Sequence, residues 1–371
     1  MKIGIDARNL VPELTGIGRY LFEMCRHLAS KNNALFLYLP EKPASALSPW
    51  PGTTVRIGSY PGGVRRMVWG QTALPRLARL DKLDVFWGPA HRLPRFLDRH
   101  IPRVVTIHDL VWVHAAETMR WQTWAAERLL MKPALGSADR IVAVSTATAD
   151  ALKVLFPACA DKTRVIHSGL SAIGQGASKD VPEKHHIDRA YALFVGTLEP
   201  RKNLPNLLEA YARLPERTRK DLLLVIAGGQ GWHLGDLRQH IAQLGIEPFV
   251  RLTGYVSDDE LAGLYANARF LAMPSFYEGF GFPIIEANAA GIPVLTSNSS
   301  SMPEVAGDAA LLIDPSDVQS MAAGLARLAE DDVLYKGLAA KARANAARFS
   351  WEKSANELMA VFHEAIEDRA R

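Results

Sequence analysis

The sequence predicts an α/β fold made of two Rossmann-like, doubly wound domains. Short apolar segments of strand length alternate with amphipathic helical segments along most of the 371 residues. This alternation is typical of parallel sheets covered by helices on both faces. The chain is also longer than a single hydrophobic core usually allows. Because the strands fall into two sets, each long enough for one domain, we expect two domains that face each other across a central cleft.

Each predicted strand is a short apolar run, and a helical pattern separates most of these runs. The first set of strands comprises Lys2–Asp6, Leu35–Leu39, Val85–Trp87, Val104–His108, Arg140–Val144 and Thr163–Ile166. The second set comprises Ala192–Val195, Leu222–Ala227, Val250–Leu252, Phe270–Met273, Pro293–Ser297 and Ala310–Ile313. The clearest helical patterns are Tyr20–Ala29, Trp121–Gly136, Thr146–Leu155, Leu204–Leu214 and Leu234–Leu244.

The boundary between the domains is marked by the segment Ser168–Arg189, which is rich in Gly, Ser, Lys and His and has little periodicity. We therefore expect a first domain over residues 1–170, a linker over 171–189 and a second domain over 190–349. A final helix is expected to follow Ser350, which is a suitable N-cap residue.

The composition, 48% hydrophobic and 22% charged, is that of an ordinary globular protein. The net charge of +4 suits an anionic ligand or an anionic membrane surface. Cys25 and Cys159 lie far apart without metal-like spacing, which argues against disulfides and structural zinc. The first residues predict a strand rather than a signal peptide, and no apolar run approaches ~20 residues. We expect a cytoplasmic protein.

The most informative segment is Pro274–Gly291, in which Glu278 and Glu286 lie eight positions apart. Pro283 is expected at the first position of a helix and Gly291 just past its end, which places Glu286 in the first turn. The unpaired N–H groups of that turn attract phosphate, and the carboxylates suit hydroxyl groups. Together they indicate a nucleotide-activated sugar. A glycosidase pair is an alternative, as is a structural role for Glu286 as a favourable helix charge.

Two adjacent cations, Arg201 and Lys202, follow the strand that opens the second domain and precede a helix that Asn203 is expected to cap. A planar guanidinium beside a compact ammonium suits a pyrophosphate. A solvated surface pair is the ordinary alternative, but the position after a strand favours binding. The loops Gly228–Gly231 and Gly254–Ser257 follow further strands and could lie against a nucleobase.

In the first domain, Gly16 and Gly18 form a Gly-x-Gly turn after the first strand, where backbone N–H groups can approach a phosphate. Leu21 stands where the dinucleotide fingerprint needs a small residue, so a nicotinamide cofactor with Glu41 on its ribose is a minor alternative. His108 follows another strand and could donate to a sugar hydroxyl or stabilise a leaving phosphate. An ordinary tight turn and a histidine that bonds a backbone carbonyl are the structural alternatives.

These residues resemble a known family. Glu278 and Glu286, in the frame Glu-Gly-Phe-Gly-Phe-Pro-Ile-Ile-Glu-Ala, are similar to the Glu-x7-Glu motif of retaining glycosyltransferases of family 4, which have the GT-B fold. The resemblance implies that the terminal helix over 350–371 crosses back onto the first domain. Further matching segments occur in the family's order along the chain, namely Thr15–Tyr20, His108–Asp109, Gly196–Asn203, Gly254–Ser257 and Phe349–Trp351.

The resemblance implies a role for each matching residue. Glu278 and the amides of Phe280–Phe282 would hold hydroxyls of the donor sugar, and Glu286 would accept from the ribose. Arg201 and Lys202 would bind the pyrophosphate. His108 would lie beside the transferred sugar, as the family's histidine does. The catalytic candidates are therefore His108, Arg201, Lys202 and Glu278. The donor-binding candidates are Gly16, Ile17, Gly18, Gly196, Arg201, Lys202, Gly254, Val256, Glu278, Gly279, Phe280, Gly281, Phe282 and Glu286.

The resemblance further implies a hexosyltransferase that retains anomeric configuration through a front-face substitution. No Asp-x-Asp motif occurs, so we expect neither a metal nor another cofactor, with the cations and the helix N-terminus neutralising the diphosphate. The Asp6–Arg8, Gly16–Tyr20 and His108–Val111 segments look most like bacterial polysaccharide mannosyltransferases. This likeness favours GDP-mannose over UDP-sugars as the donor. A sugar phosphorylase and a non-catalytic sugar-nucleotide-binding protein are the alternative classes.

The expected acceptor is a glycan or lipid-linked glycan, as in surface polysaccharide or lipopolysaccharide O-antigen biosynthesis, and no nucleic-acid partner is expected. The segment Val64–Leu80 mixes basic and apolar residues. It could rest on the cytoplasmic face of the inner membrane as a peripheral contact. Alternatively, it is an ordinary helix that covers the sheet with its arginines turned outward.

Overall fold

A computed structural model describes residues 1–10, 16–42, 50–60, 62–172, 180–229, 231 and 236–370. The chain divides into two compact units. The first comprises Met1–Trp112, Arg120–Gly169 and Ser350–Arg371, and the second comprises Val113–Met119 and Leu170–Phe349. The C-terminal segment thus belongs to the first unit. The segment Val113–Met119, which the sequence analysis assigns to the first domain, belongs to the second unit.

The strands follow the expected alternation. In the first unit they are β1 Lys2–Asp6, β2 Ala34–Leu39, β3 Thr53–Ile57, β4 Val85–Gly88, β5 Arg103–Ile107, β6 Arg140–Ala143 and β7 Thr163–Val165. In the second unit they are β8 Ala190–Val195, β9 Leu222–Ala227, β10 Val250–Gly254, β11 Phe270–Met273, β12 Val294–Ser297 and β13 Ala310–Ile313.

The helices lie between these strands. The first half of the chain contains α1 Gly16–Ala29, α2 Gly63–Gln71, α3 Ala73–Leu80, α4 Val111–His114, α5 Trp121–Ser137, α6 Thr146–Leu155 and α7 Val181–Lys184. The second half contains α8 Leu204–Ala212, α9 Glu216–Asp221, α10 Leu237–Gln243, α11 Asp258–Asn267, α12 Phe282–Ala290, α13 Met302–Ala306, α14 Val318–Glu330, α15 Asp332–Ala346 and α16 Trp351–Ala370.

Both sheets are parallel and doubly wound. The first has the order β3-β2-β1-β4-β5-β6-β7, and the second has the order β10-β9-β8-β11-β12-β13. In each sheet the strand order reverses once, between β1 and β4 in the first and between β8 and β11 in the second. Ligands of open parallel sheets bind outside the carboxyl ends of the strands at such a switch point. The predicted fold class is therefore confirmed. Its topology makes the carboxyl ends of β1 and β4, and those of β8 and β11, the expected places for ligands.

The sheets are stabilised by burial on both faces. Every residue of β5, β9 and β11 is buried, which explains why these strands read as continuous apolar runs. Polar caps begin several helices: the Ser257 side chain accepts from the backbone N–H of Glu260 and closes a capping box on α11. Ser350 precedes α16, and its carbonyl accepts from the backbone N–H of Ser354, as expected of a residue at the helix start.

The sequence analysis missed β3 and misplaced some boundaries. β3 is an edge strand whose residues are half-buried or exposed, so it lacks the apolar run that marks the others. The predicted helix Leu234–Leu244 is shorter in the structure, because Asp236 caps α10 and the helix begins at Leu237. Residues 234 and 235 of that prediction lie outside the described residues, as do residues 173–179 of the predicted linker.

Candidate functional site

The switch point of the second sheet gathers the charged residues singled out in the sequence. β8 pairs directly with β11. The loop after β8 carries Arg201 and Lys202, and the loop after β11 carries Glu278. Although 76 residues separate Lys202 from Glu278 in the chain, neighbouring parallel strands bring both loops to the same edge of the sheet.

The three side chains form one ion-pair cluster in which Lys202 and Glu278 are buried and Arg201 is half-buried. The Lys202 Nζ donates to Oε1 of Glu278 at 2.6 Å, and an Arg201 guanidinium nitrogen donates to Oε2 at 2.6 Å. Burial opposes ionisation of the carboxyl, but the charges of Arg201 and Lys202 outweigh it and lower the pKa of Glu278 to about 2. Glu278 is therefore an anion at neutral pH, and both of its oxygens are engaged by cations.

Glu199, a residue that the sequence analysis did not select, holds the other side of the guanidinium. Its carboxylate accepts from Arg201, and it is buried at the end of the loop that follows β8. Arg201 also donates to the carbonyl oxygen of Tyr277 at 2.7 Å, and its own carbonyl accepts from the N–H of Phe276. These contacts fix the plane of the guanidinium against the loop after β11.

Two serines hold the backbone of Glu278. The Ser300 hydroxyl accepts from the Glu278 N–H at 2.9 Å, and the Ser301 hydroxyl donates to the carbonyls of Glu278 and Phe280. Asn203 precedes α8, as expected, but its side chain does not cap that helix. It donates instead to the carbonyls of Pro274 and Pro315, and so ties together the loops after β11 and β13.

The helix after Glu278 begins one residue earlier than predicted. Gly281, with φ of 101°, precedes it in the left-handed region that favours glycine, and α12 starts at Phe282. Pro283 is thus the second helical residue. Glu286 is the fifth, so the prediction that it lies in the first turn is wrong. Its Oε2 accepts from the Tyr265 hydroxyl of α11 at 2.9 Å.

The remaining donor-binding candidates of this unit lie in the same row of loops. Gly279 and Phe280 are buried between Glu278 and the start of α12. Gly196 directly follows β8, and an added Cβ there would lie 3.4 Å from Cε of Lys202. The loop after β9 packs tightly on it, since a Cβ on Gly228 would lie 1.9 Å from the Gly196 carbonyl oxygen.

Gly254 ends β10, and its carbonyl accepts from the Gly228 N–H at 2.8 Å. Val256 follows in a half-buried position. The loops after β8, β9 and β10 are therefore neighbours, and the glycines of the Gly228–Gly231 segment act in packing these loops against one another.

In the first unit, Gly16, Ile17 and Gly18 form the first turn of α1 rather than a turn before it. This corrects the prediction of a Gly-x-Gly loop. A first turn still presents backbone N–H groups that have no partner within the helix. Thr15 lies outside the described residues. Tyr20, in the next turn, packs its ring edge-on to His108 with the centroids 4.8 Å apart.

His108 is buried at the carboxyl end of β5, and its hydrogen bonds define its protonation. Its Nε2 lies 2.7 Å from the Pro89 carbonyl oxygen, and since a carbonyl only accepts, Nε2 carries the proton. Burial, and secondarily the neighbouring His91 ring, lowers the pKa of His108 to about 3. His108 is therefore neutral at physiological pH, with Nδ1 as an acceptor, and it does not supply the positive charge that one of its predicted roles requires.

His91 and Glu127, which the sequence analysis missed, anchor this histidine. The His108 N–H donates to Nε2 of His91 at 2.9 Å. Nδ1 of His91 lies 3.1 Å from the Glu127 carboxylate, which Arg92 also contacts at 3.0 Å. His91 has φ of 60°, an uncommon conformation for a non-glycine residue. Its position after β4, at the switch point of the first sheet, is the signal that could have identified it.

A cation pair at the switch point of a doubly wound sheet is an arrangement that suits phosphate-bearing ligands. Comparison with known proteins identifies the class further. Residues 14–172 match the family described as Glycosyltransferase Family 4, and residues 178–360 match Glycosyl transferases group 1. The chain is 33% identical to O-antigen chain mannosyltransferase B of Escherichia coli, over 98% of this chain and 99% of that protein.

Solved structures show the same fold at low sequence identity. Sucrose-phosphate synthase from Thermosynechococcus elongatus superposes with a TM-score of 0.80 at 18% identity, over 98% of both chains. Anabaena HepE, in complex with UDP and glucose, superposes with a TM-score of 0.75 at 20% identity, over 97% of this chain and 98% of that one.

The chain belongs to glycosyltransferase family 4, and it is a glycosyltransferase. Among the described helices, none is both long and apolar enough to cross a membrane.

Proposed function

We propose that the chain transfers mannose, with retention of anomeric configuration and without a metal, from GDP-mannose to a glycan or lipid-linked glycan in O-antigen biosynthesis. The observation that carries this proposal is the ion pairing of half-buried Arg201 and buried Lys202 with Glu278 at the switch point of the second sheet. The choice of mannose is supported by the relative that spans the whole chain, an O-antigen chain mannosyltransferase.

Each site residue receives a proposed role from its contacts. Arg201 and Lys202 bind the diphosphate and stabilise the leaving nucleoside diphosphate, with Gly196 leaving room beside Lys202. The backbone from Gly279 to Phe282 faces the donor sugar at the start of α12, where a helix N-terminus favours negative charge. Glu286, oriented by the Tyr265 hydroxyl, accepts from the ribose. Gly254 and Val256 flank the base.

In the first unit, the initial turn of α1 at Gly16–Gly18 offers backbone N–H groups to a phosphate oxygen. His108 acts as a neutral group beside the transferred sugar, with Nδ1 accepting from a hydroxyl. With the leaving phosphate assisting deprotonation of the acceptor, a front-face substitution needs no protein nucleophile.

A UDP-sugar donor is the second candidate, because HepE shares the fold and is described in complex with UDP and glucose. Transfer assays with GDP-mannose, UDP-glucose and UDP-N-acetylglucosamine, each with a thermal shift measurement, test both candidates. Binding to the protein raises its apparent stability by mass action. Selective stabilisation and turnover with GDP-mannose support the proposal. Turnover with a UDP-sugar alone overturns the donor assignment, and binding without turnover on any acceptor favours a non-catalytic protein.

We also propose peripheral contact with an anionic membrane through α2 and α3. α3 buries Leu74, Pro75 and Ala78 in the first unit, while Arg76 and Arg79 are exposed beside Leu80, which is 75% exposed. Arginines next to an exposed leucine suit an anionic bilayer surface. Sedimentation with phosphatidylglycerol vesicles, compared with phosphatidylcholine vesicles, tests this contact, and equal binding to both kinds of vesicle would contradict it.

A further inference from the structure

We infer that Glu278 is an internal counter-anion, which the diphosphate of the donor displaces from Arg201 and Lys202. This inference rests on the proposed function. In this view donor binding itself releases the Glu278 carboxylate, which then becomes available to accept from a hydroxyl of the donor sugar. The affinity of the site for a diphosphate is thus limited by a carboxylate that already occupies both cations.

The first support is the geometry of the cluster. One Glu278 oxygen contacts Lys202 and the other contacts Arg201, each at 2.6 Å. A phosphate that is to bind both cations competes with Glu278 for their positive charge, since each contact pairs one carboxylate oxygen with one cation. The Glu199 carboxylate differs, because within the described part of the chain its ion pair is with Arg201 and not with Lys202. Glu278 is therefore the carboxylate that bridges the two cations expected to hold the diphosphate.

The second support is the charge balance. The four side chains joined by these contacts are Glu199, Arg201, Lys202 and Glu278, and their formal charges sum to zero. Their side chains are between 8% and 18% exposed, so water screens them poorly. A dianionic diphosphate gains little from a neutral cluster, and it would be repelled by a buried carboxylate held in place. Displacing Glu278 leaves Glu199, Arg201 and Lys202 with a net charge of +1, opposite in sign to that of the ligand.

The third support is that only the side chain has to move. Ser300 and Ser301 hold the N–H and the carbonyl of Glu278, so the backbone leading into α12 keeps its place. Rotation about the side-chain bonds is enough to carry the carboxylate away from the cations. Such a rotation exchanges one anion for another without opening the loop.

The test is the affinity for GDP and for UDP, measured by titration calorimetry on wild type, Glu278→Gln and Glu199→Gln. If Glu278 competes with the diphosphate, Glu278→Gln binds the preferred nucleotide at least about fivefold more tightly than wild type, while its transfer rate falls. Glu199→Gln removes the same charge from the same guanidinium but leaves the bridge intact, so its affinity should change less than that of Glu278→Gln.

Weaker nucleotide binding by Glu278→Gln overturns the inference, because Glu278 would then be holding the cations in place for the ligand. The proposed function survives that result if wild type transfers the sugar. Absence of binding and turnover with all donors in the wild type removes the proposed function itself.

A second measurement is needed because Glu278→Gln leaves Arg201 and Lys202 without the carboxylate they share, which is expected to destabilise the variant. Inorganic pyrophosphate should raise the Tm of this variant more than that of wild type, because it restores an anion to the cations. An equal or smaller rise in the variant contradicts the inference.

Discussion

Removal of the Lys202 ammonium is the most direct perturbation of the proposed site. Lys202 is buried, and Nζ is directed at Glu278 at a distance of 2.6 Å. As the bond to the sugar breaks, negative charge grows on the leaving phosphate, and the ammonium would lie within a few ångströms of it. Two opposite unit charges ~4 Å apart attract each other by roughly 4 kcal/mol at an effective dielectric constant of ~20. Removing one preorganised contact of this kind typically costs ~10²–10³ in kcat.

We therefore expect Lys202→Ala to lower kcat/KM by about 10²-fold or more, with Arg201 supplying the remaining activity. The loss should fall mainly on kcat, because the charge on the leaving group is greatest in the transition state. The assay is steady-state transfer from GDP-mannose with the acceptor saturating. Lys220→Ala is the matched control: Lys220 is exposed, pairs with Glu216 on the surface of the same unit, and should leave kcat/KM unchanged. Near-normal transfer by Lys202→Ala would refute the assignment of the cation pair.

Three further predictions concern the other parts of the site. Glu286→Ala should lower kcat/KM by about 10²-fold, and an unchanged value would remove Glu286 from the donor site. EDTA should leave transfer intact, whereas loss of activity with recovery on adding Mg²⁺ would contradict the metal-free proposal. Because the pKa of His108 is about 3 in the folded chain against an ordinary 6.5, the unfolded chain binds the extra proton between these values, so stability falls as pH falls from 6.5 to 3. His108→Gln should flatten this dependence of Tm on pH. The control is the same substitution at His363, which is exposed and should leave the dependence unchanged. Equal slopes in wild type and His108→Gln would count against a buried, neutral His108.

The parts of the fold that depend on local pattern could be predicted, and those that depend on pairing between strands could not. β9 and β11 are buried on both faces, and their continuous runs of apolar residues were enough to predict them. β3 lies at the sheet edge with half-exposed residues, so its pattern resembles a loop. The helix start at Phe282 depends on the left-handed conformation of Gly281, whereas a proline one position later is a stronger signal in the sequence.

The candidate site shows the same division. Arg201, Lys202 and Glu278 were recognisable because each follows a strand, but the contact between them depends on β8 lying beside β11. Of the two residues that anchor His108, His91 carried one signal, its position after β4, and Glu127 carried none. Glu127 lies on α5, 36 residues after His91, and neither residue belongs to a motif that indicates a shared site. Only the tertiary structure shows that Glu127 contacts the His91 ring, and that Nε2 of His91 accepts from the His108 N–H.

The two glutamates of the Glu-x7-Glu segment occupy environments that argue against a glycosidase mechanism. Such a mechanism needs one carboxyl with a raised pKa, which acts as the acid, and a second that acts as nucleophile or base. Glu278 is poorly suited to be the acid, because burial favours its neutral form but the charges of Arg201 and Lys202 outweigh burial and lower its pKa to about 2. It is also a poor nucleophile while both oxygens accept from Arg201 and Lys202. Glu286 instead accepts from the Tyr265 hydroxyl, a partner that orients a carboxylate toward hydroxyl groups without adding charge. The electrostatic difference between the two positions supports the proposal that the cations on Glu278 serve the diphosphate of the donor and that Glu286 serves the uncharged ribose.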